Sequence, residues 1–126
     1  MIAHTTLHVS DTGRAKDFYS KVLAPLGYKV SKEYPEYNVV GFVSGEGFHD
    51  FWLHGNECKQ TSHLAFTGKS EEEVQAFHQA ALAAGAKDNG APGYRTDYGA
   101  GYYAAFFYDA DGHNIEAMYW NNEKKA

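Results

Sequence analysis

The chain repeats itself, and the repeat restricts its fold more than any other feature. His4 and His63 are 59 residues apart, as are Phe18 and Phe77, and Leu23 and Leu82. Toward the end of each half the interval becomes 65, relating Phe42 to Phe107, Gly47 to Gly112 and Phe51 to Glu116. Self-similarity at a nearly fixed interval means one supersecondary unit used twice. The second copy gains the six residues between 59 and 65, and the stretch from Asp88 to Gly101, rich in Gly, Tyr and Asn, reads as the loop that absorbs them.

Each unit reads βαβββ. In the first, alternation in IAHTTLHV predicts a strand over about residues 2–9. Asp11 or Thr12 then caps a helix with its apolar stripe at Ala15, Phe18, Tyr19, Val22 and Leu23, stopped by Pro25 and Gly27. Strands follow over residues 28–33, 38–44 and 48–53. In the second, SHLAFTG is a strand, and Ser70 with Glu73 forms a capping box before a helix whose stripe is Val74, Phe77, Ala81 and Leu82. After Gly85 come a further strand, residues 102–108, and a closing strand that restarts after the Asp111-Gly112 turn. The expected fold is α+β: tandem βαβββ modules, at about 1–57 and 61–122 of a single domain spanning 1–126, with helices outside a curved mixed sheet around a cleft.

Composition narrows the partners. Eleven basic against 16 acidic residues, net −5, with no Lys/Arg-rich block, argue against nucleic acid or an anionic membrane. No apolar run approaches the roughly 20 residues of a membrane span. Cys58 is the single cysteine, and MIAHTTLHVSD carries no secretory pattern, so a cytoplasmic protein is expected. Ten Tyr, eight Phe and two Trp exceed what a small core needs, which points to an aromatic pocket for a small-molecule substrate.

Strand parity selects the chemistry. If Leu7, Val9, Leu64 and Phe66 face the helices, His4, Thr6 and His8 face the cleft, and His63 takes the place equivalent to His4. On the closing strand Asn114, Glu116 and Met118 share a face, and a carboxylate in mid-strand costs several kcal/mol to bury without a partner. A lone strand histidine is more often a hydrogen-bonded structural residue, and it is equivalence under the repeat that marks His4 and His63. His54, His78 and His113 read as solvated. DADG lacks the acidic spacing of a 12-residue calcium loop and reads as a hairpin turn, with Asp109 and Asp111 structural. In GYRTDYGAGYY, Tyr94, Arg95, Asp97, Tyr98 and Tyr102 cluster on a polar segment, where Arg95 could hold an anion.

HTTLHVSD, FYSKVLAPLGY, HLAF and DADGHNIEA together resemble the vicinal oxygen chelate superfamily, which includes glyoxalase I, bleomycin-resistance proteins, fosfomycin-modifying transferases and extradiol dioxygenases. The resemblance implies metal ligands on the first and last strands of each half: His4, His63 and Glu116, with Phe51 at the fourth place, where it cannot ligate. It implies one divalent ion, zinc, nickel, iron or manganese. It makes Glu116 the catalytic base, with His8 and Phe51 placed for substrate contact; further contacts are expected from Arg95, Tyr98 and Tyr102, on and beside the inserted loop, and from Met118, on the face of Glu116. The implied activity is a glyoxalase-like lyase or isomerase of the lactoylglutathione lyase type. An extradiol dioxygenase or fosfomycin-type transferase stands second, and a metal-free binder of the bleomycin-resistance kind third. Glyoxalase I holds glutathione with a basic residue at the place of His8, and the histidine departs from that. A homodimer is expected, and relatives form the site either within one chain or across a dimer.

Overall fold

Side chains that alternate between helix and solvent build two sheets here, one from each half of the chain. The computed structural model describes residues 1–124; residues 125 and 126, included in the expected domain, lie outside the described residues. The first half runs β1 (Thr5–His8), α1 (Thr12–Leu23), β2 (Lys29–Tyr34), β3 (Val39–Val43) and β4 (Phe51–His54). The second runs β5 (His63–Thr67), α2 (Glu71–Ala83), β6 (Lys87–Tyr94), β7 (Tyr102–Tyr108) and β8 (Asn114–Trp120). The four-stranded sheets have orders β1-β4-β3-β2 and β5-β8-β7-β6. In each, the first and last strands pair in parallel and the other pairs are antiparallel. The fold is α+β.

Local chemistry sets the helix limits. The Asp11 carboxylate accepts from the Arg14 amide at the start of α1, and the chain leaves through a 3-10 turn, Ala24–Leu26, closed by Gly27 at φ 90°. Ser70 Oγ accepts from the Glu73 amide, while the Glu73 carboxylate reaches back to the Lys69 amide. Three glutamates, Glu71 to Glu73, favour the positive end of α2.

The two helices contact each other and cover one face of both sheets. Their shared core contains Leu7, Val22, Leu53, Phe77, Phe107 and Ile115, and Phe51 and Phe66 meet edge-on at 5.1 Å where the halves join. A polar clamp holds the same junction. Asp109 Oδ1 accepts from the amides of Asp111 and His113, and Oδ2 accepts from the buried Tyr19 hydroxyl at 2.5 Å. Burial and the Asp109 carboxylate push the Tyr19 phenol well above its ordinary pKa, which keeps it a donor. His113 lies across the seam: Nδ1 accepts from the Ser62 amide and Nε2 donates to the His8 carbonyl.

This corrects the expectation that His113 is solvated. It is 0% exposed, because each ring nitrogen satisfies a backbone group of a different segment. His78 is also buried, with Nε2 3.0 Å from Asp88. The expected loop from Asp88 is a strand as far as Tyr94. Register shifts around Gly90 break the period-2 alternation that would have revealed it, and Gly90 takes φ 151°. The extra residues of the second half are divided between these irregularities and the turn over residues 95–101.

No described helix is long and apolar enough to cross a membrane. The sheet faces away from the helices carry the polar residues: Thr6, His8, Trp52 and His54 on the first, and His63, Glu116 and Met118 on the second.

Replacing His113 with Ala strands a buried amide and a buried carbonyl, so urea denaturation should show a loss of about 2–4 kcal/mol. His54→Ala, at an exposed position, should stay within about 0.5 kcal/mol of the wild type.

Candidate metal centre

Parallel pairing of β5 with β8 sets Ala65 opposite Glu116 and His63 opposite Asn114. Glu116 is 3% exposed and would be costly to bury alone. Its Oε1 lies 3.1 Å from His63 Nε2, and its Oε2 accepts from the Tyr102 hydroxyl at 2.5 Å.

The His63 tautomer decides what that contact means. Nδ1 is 2.9 Å from the Asn114 carbonyl oxygen, which can only accept, so Nδ1 carries the proton. In the neutral ring Nε2 then presents a lone pair to a carboxylate oxygen. The contact is favourable only if Nε2 is protonated or a cation lies against both atoms. Two ligands about 2.1 Å from one ion and at right angles to each other are about 3.0 Å apart, so the observed spacing suits a shared metal. A backbone carbonyl on the far nitrogen is also how ligating imidazoles are commonly oriented. The donor set fits a divalent ion.

Tyr102 holds the other carboxylate oxygen. Burial first, and then its hydrogen bond to Glu116, raises the phenol well above its ordinary pKa, so it remains a donor at neutral pH. Tyr98 and Trp120 meet the Tyr102 ring edge-on at 5.4 and 5.8 Å, and Phe106 stacks 6.4 Å from His63. Tyr98 is exposed, while Met118 is half-buried on the face of Glu116. Arg95 is folded onto its own segment, donating to the Ala91 carbonyl at 2.7 Å with its guanidinium over Phe106 at 5.5 Å.

His4 stands elsewhere. Exposed just before β1, it borders a hollow with Thr6, His8, Trp52 and His54, and the ligand atoms of His4, His63 and Glu116 do not all lie within 4.8 Å of one another. One chain brings two of the three expected ligands together.

Phe51 is not the counterpart of Glu116. Thr6 and Ala65 are 59 apart, and their partners are Trp52 and Glu116, so Trp52 takes that place. Trp52 stands five residues after Gly47 whereas Glu116 stands four after Gly112, and a one-residue slip moves every side chain to the other face. Phe51 therefore points into the core, 1% exposed, against Tyr19, Phe42 and Phe66, and is not placed for substrate contact. The Trp52 indole lies on Gly41, where a Cβ would come within 2.4 Å of the ring, and its Nε1 donates to the His49 carbonyl.

Among the described residues, one trio of metal-capable side chains has all its ligand atoms within 4.8 Å: Cys58, Asp111 and His113. It does not suit an ion. The Nδ1 lone pair of His113 is engaged by Ser62, its Nε2 proton by His8, and burial with Asp111 and Asp109 raises the Cys58 thiol pKa.

The family model described as "Glyoxalase/Bleomycin resistance protein/Dioxygenase superfamily" matches residues 1–117. The chain belongs to that superfamily. This superfamily chain is similar to a glyoxalase/bleomycin resistance protein from Albidiferax ferrireducens, with 27% identity over 93% of this chain and 97% of the other, and a TM-score of 0.79. It shares its fold with a glyoxalase/bleomycin resistance protein/dioxygenase family enzyme from Burkholderia phytofirmans, 18% identical over 95% and 98% of the two chains, TM-score 0.73. It also shares it with a mutant of the genomically encoded fosfomycin resistance protein FosX from Listeria monocytogenes, 19% identical over 99% and 94%, TM-score 0.72. No curated protein matches the chain.

Tyr102 should resist ionisation. Ultraviolet titration of wild type against Tyr102→Phe should give a flat difference below about pH 11, whereas an ordinary phenol would titrate near pH 10.

Proposed function

We propose that the protein is a metal-dependent enzyme acting on a small substrate with two neighbouring oxygens, through one divalent ion held by His63, Glu116 and the His4 of a second copy of the chain. The observation that carries this reading is the 3.1 Å approach of His63 Nε2 to Oε1 of buried Glu116, made while Nδ1 is committed to the Asn114 carbonyl. Zinc, nickel, iron or manganese suits two imidazoles and a carboxylate. The bound ion would polarise a substrate carbonyl or steady a developing alkoxide, a contribution of several kcal/mol.

The chain's own residues supply the remainder. Asn114 keeps the His63 lone pair outward, and Tyr102 holds Glu116 Oε2 so that Oε1 faces the site. Glu116 is the carboxylate on this face and serves as base, taking the proton from carbon beside the substrate carbonyl in a glyoxalase-type isomerisation. Tyr98, Tyr102 and Trp120 form an aromatic wall beside it, and Met118 extends the floor. His8 and Trp52 would reach the substrate from the face of the second copy. The same geometry supports a homodimer, since His4 does not meet His63 and Glu116 within its own chain. Net charge −5 supports a small molecule rather than nucleic acid as partner. A single cysteine with a raised thiol pKa suits the reducing cytoplasm.

A second reading is a fosfomycin-type transferase or an extradiol dioxygenase. It is favoured by Trp52, which leaves three protein ligands where a carboxylate would supply a fourth. FosX of Listeria monocytogenes was solved with Mn(II) and 1S,2S-dihydroxypropylphosphonic acid. Against a phosphonate substrate here stands Arg95, whose guanidinium is already engaged by Ala91 and Phe106.

Untagged protein dialysed against zinc, nickel, manganese or ferrous iron should retain at least one equivalent per chain. Glu116→Gln should weaken that centre by an order of magnitude or more. Retention of less than about a tenth of an equivalent of every ion would rule the centre out. Solvent deuterium entering the carbon beside the carbonyl of an α-hydroxy ketone or aldehyde would mark the isomerase; opening of a fosfomycin epoxide without such exchange would mark the second reading.

A further inference from the structure

We propose a second metal site, on the open face of the first sheet, formed by His8 and His54 and suited to a late divalent transition ion such as nickel, copper or zinc. Parallel pairing of β1 with β4 puts His8 directly beside His54. Both backbones are pinned there: the Val9 amide donates to the His54 carbonyl at 3.0 Å, and the His8 carbonyl accepts from buried His113 at 2.8 Å. The rings project from the same face, meet edge-on with centroids 5.3 Å apart, and bring their Nδ1 atoms to 3.4 Å.

Without an ion, that approach requires one Nδ1 to carry a proton and the other to accept it. It is also the separation of two nitrogens about 2.1 Å from one ion at the tetrahedral angle, about 3.4 Å. An ion can therefore enter without moving the strands. The donor ring shifts its proton from Nδ1 to Nε2, both Nδ1 lone pairs turn to the metal, and no proton is released overall. Paired imidazoles select late transition ions over magnesium or calcium.

A carboxylate borders the site, more than 4.8 Å from at least one of the two Nδ1 atoms, so it would join an ion only by turning its side chain. Glu57 lines the same hollow of about 420 Å³ as His8 and His54, with Lys59, Gln60 and Ser62. Its carboxylate now pairs with exposed Lys59 at 3.0 Å, a contact that water makes weak and that an ion can displace. The remaining positions open onto the hollow. No ligand is shared with the centre of His63, Glu116 and the second copy's His4; His8 also stands where it would reach that centre's substrate, so metal uptake rather than activity tells the two sites apart.

The test uses the full untagged chain, stripped with chelator and titrated with zinc. His63→Ala removes the first centre and should leave about one equivalent bound. Adding His8→Gln or His54→Gln to that background should weaken uptake at least tenfold. In the histidine region of the NMR spectrum of the His63→Ala protein, the ring signals of His8 and His54 should move with zinc while that of exposed His49 stays fixed. No uptake by His63→Ala, uptake indifferent to both glutamine variants, or movement confined to His4 or His49 would overturn the proposal. Both side chains are exposed, so the glutamine variants should keep the wild-type thermal midpoint, and each reads the site independently of the other.

Discussion

A buried carboxylate that meets an imidazole lone pair is the constraint on which this structure turns. Glu116 sits in mid-strand, nearly without exposure, and its two oxygens are answered by Tyr102 and His63. The phenol is a donor and satisfies one oxygen outright. His63 cannot do the same in its neutral form, because its available proton is already given to Asn114. Burial of a charge is tolerable only with compensation, which a proton on Nε2 or a cation against both atoms would supply. Most of the surrounding framework serves to hold that geometry: the parallel β5–β8 register, the aromatic ring stack, and the helices that seal the opposite face.

The first half of the chain uses the same register for a different purpose. Trp52 takes the place that Glu116 takes in the second half, and its indole lies flat because Gly41 beneath it has no side chain. With His4, His8 and His54 there, the open face of this sheet offers imidazoles and an aromatic surface, and its strands carry no carboxylate toward it. Two unlike faces from one duplicated unit are complementary, and a site assembled from both needs one of each. The DADG hairpin explains why a chain does not close the two faces on each other. Asp109, Asp111 and His113 bind Tyr19, Ser10, Ser62 and the His8 carbonyl, fixing the halves side by side through their helix layers.

Much of this was legible in the sequence because duplication converts weak signals into paired ones. The 59-residue interval, with strand parity, leads to His63 and Glu116, and their contact in space needed only the β5–β8 pairing. The helix limits were readable from Asp11, Ser70, Glu73 and Gly27. The failures have specific physical causes. One added residue before β4 turned Phe51 into the core and brought Trp52 to the open face, a shift that counting from the turn glycines does not detect. Register shifts at Gly90 hid β6 by disrupting its alternation. His113 follows a polar turn and looks solvated, yet its two nitrogens are what let the seam be buried. The hydrogen bond from the Tyr102 hydroxyl to Glu116 had no signal in the sequence, since it joins neighbouring strands across a register that only the fold sets.

The central claim is that one metal centre is built from two chains, and subunit mixing tests it directly. His4→Ala lacks one ligand and Glu116→Gln another, so neither homodimer contains an intact set. In a mixed dimer, the His4 of the Glu116→Gln chain meets His63 and Glu116 of the His4→Ala chain and restores one complete centre. With His54→Gln carried in both variants to silence the His8–His54 pair, tight metal binding should therefore return when the two variants are unfolded together and refolded as a mixture, and be absent from each alone. If mixed dimers form and no tight binding returns, the centre does not span two chains and the account is wrong.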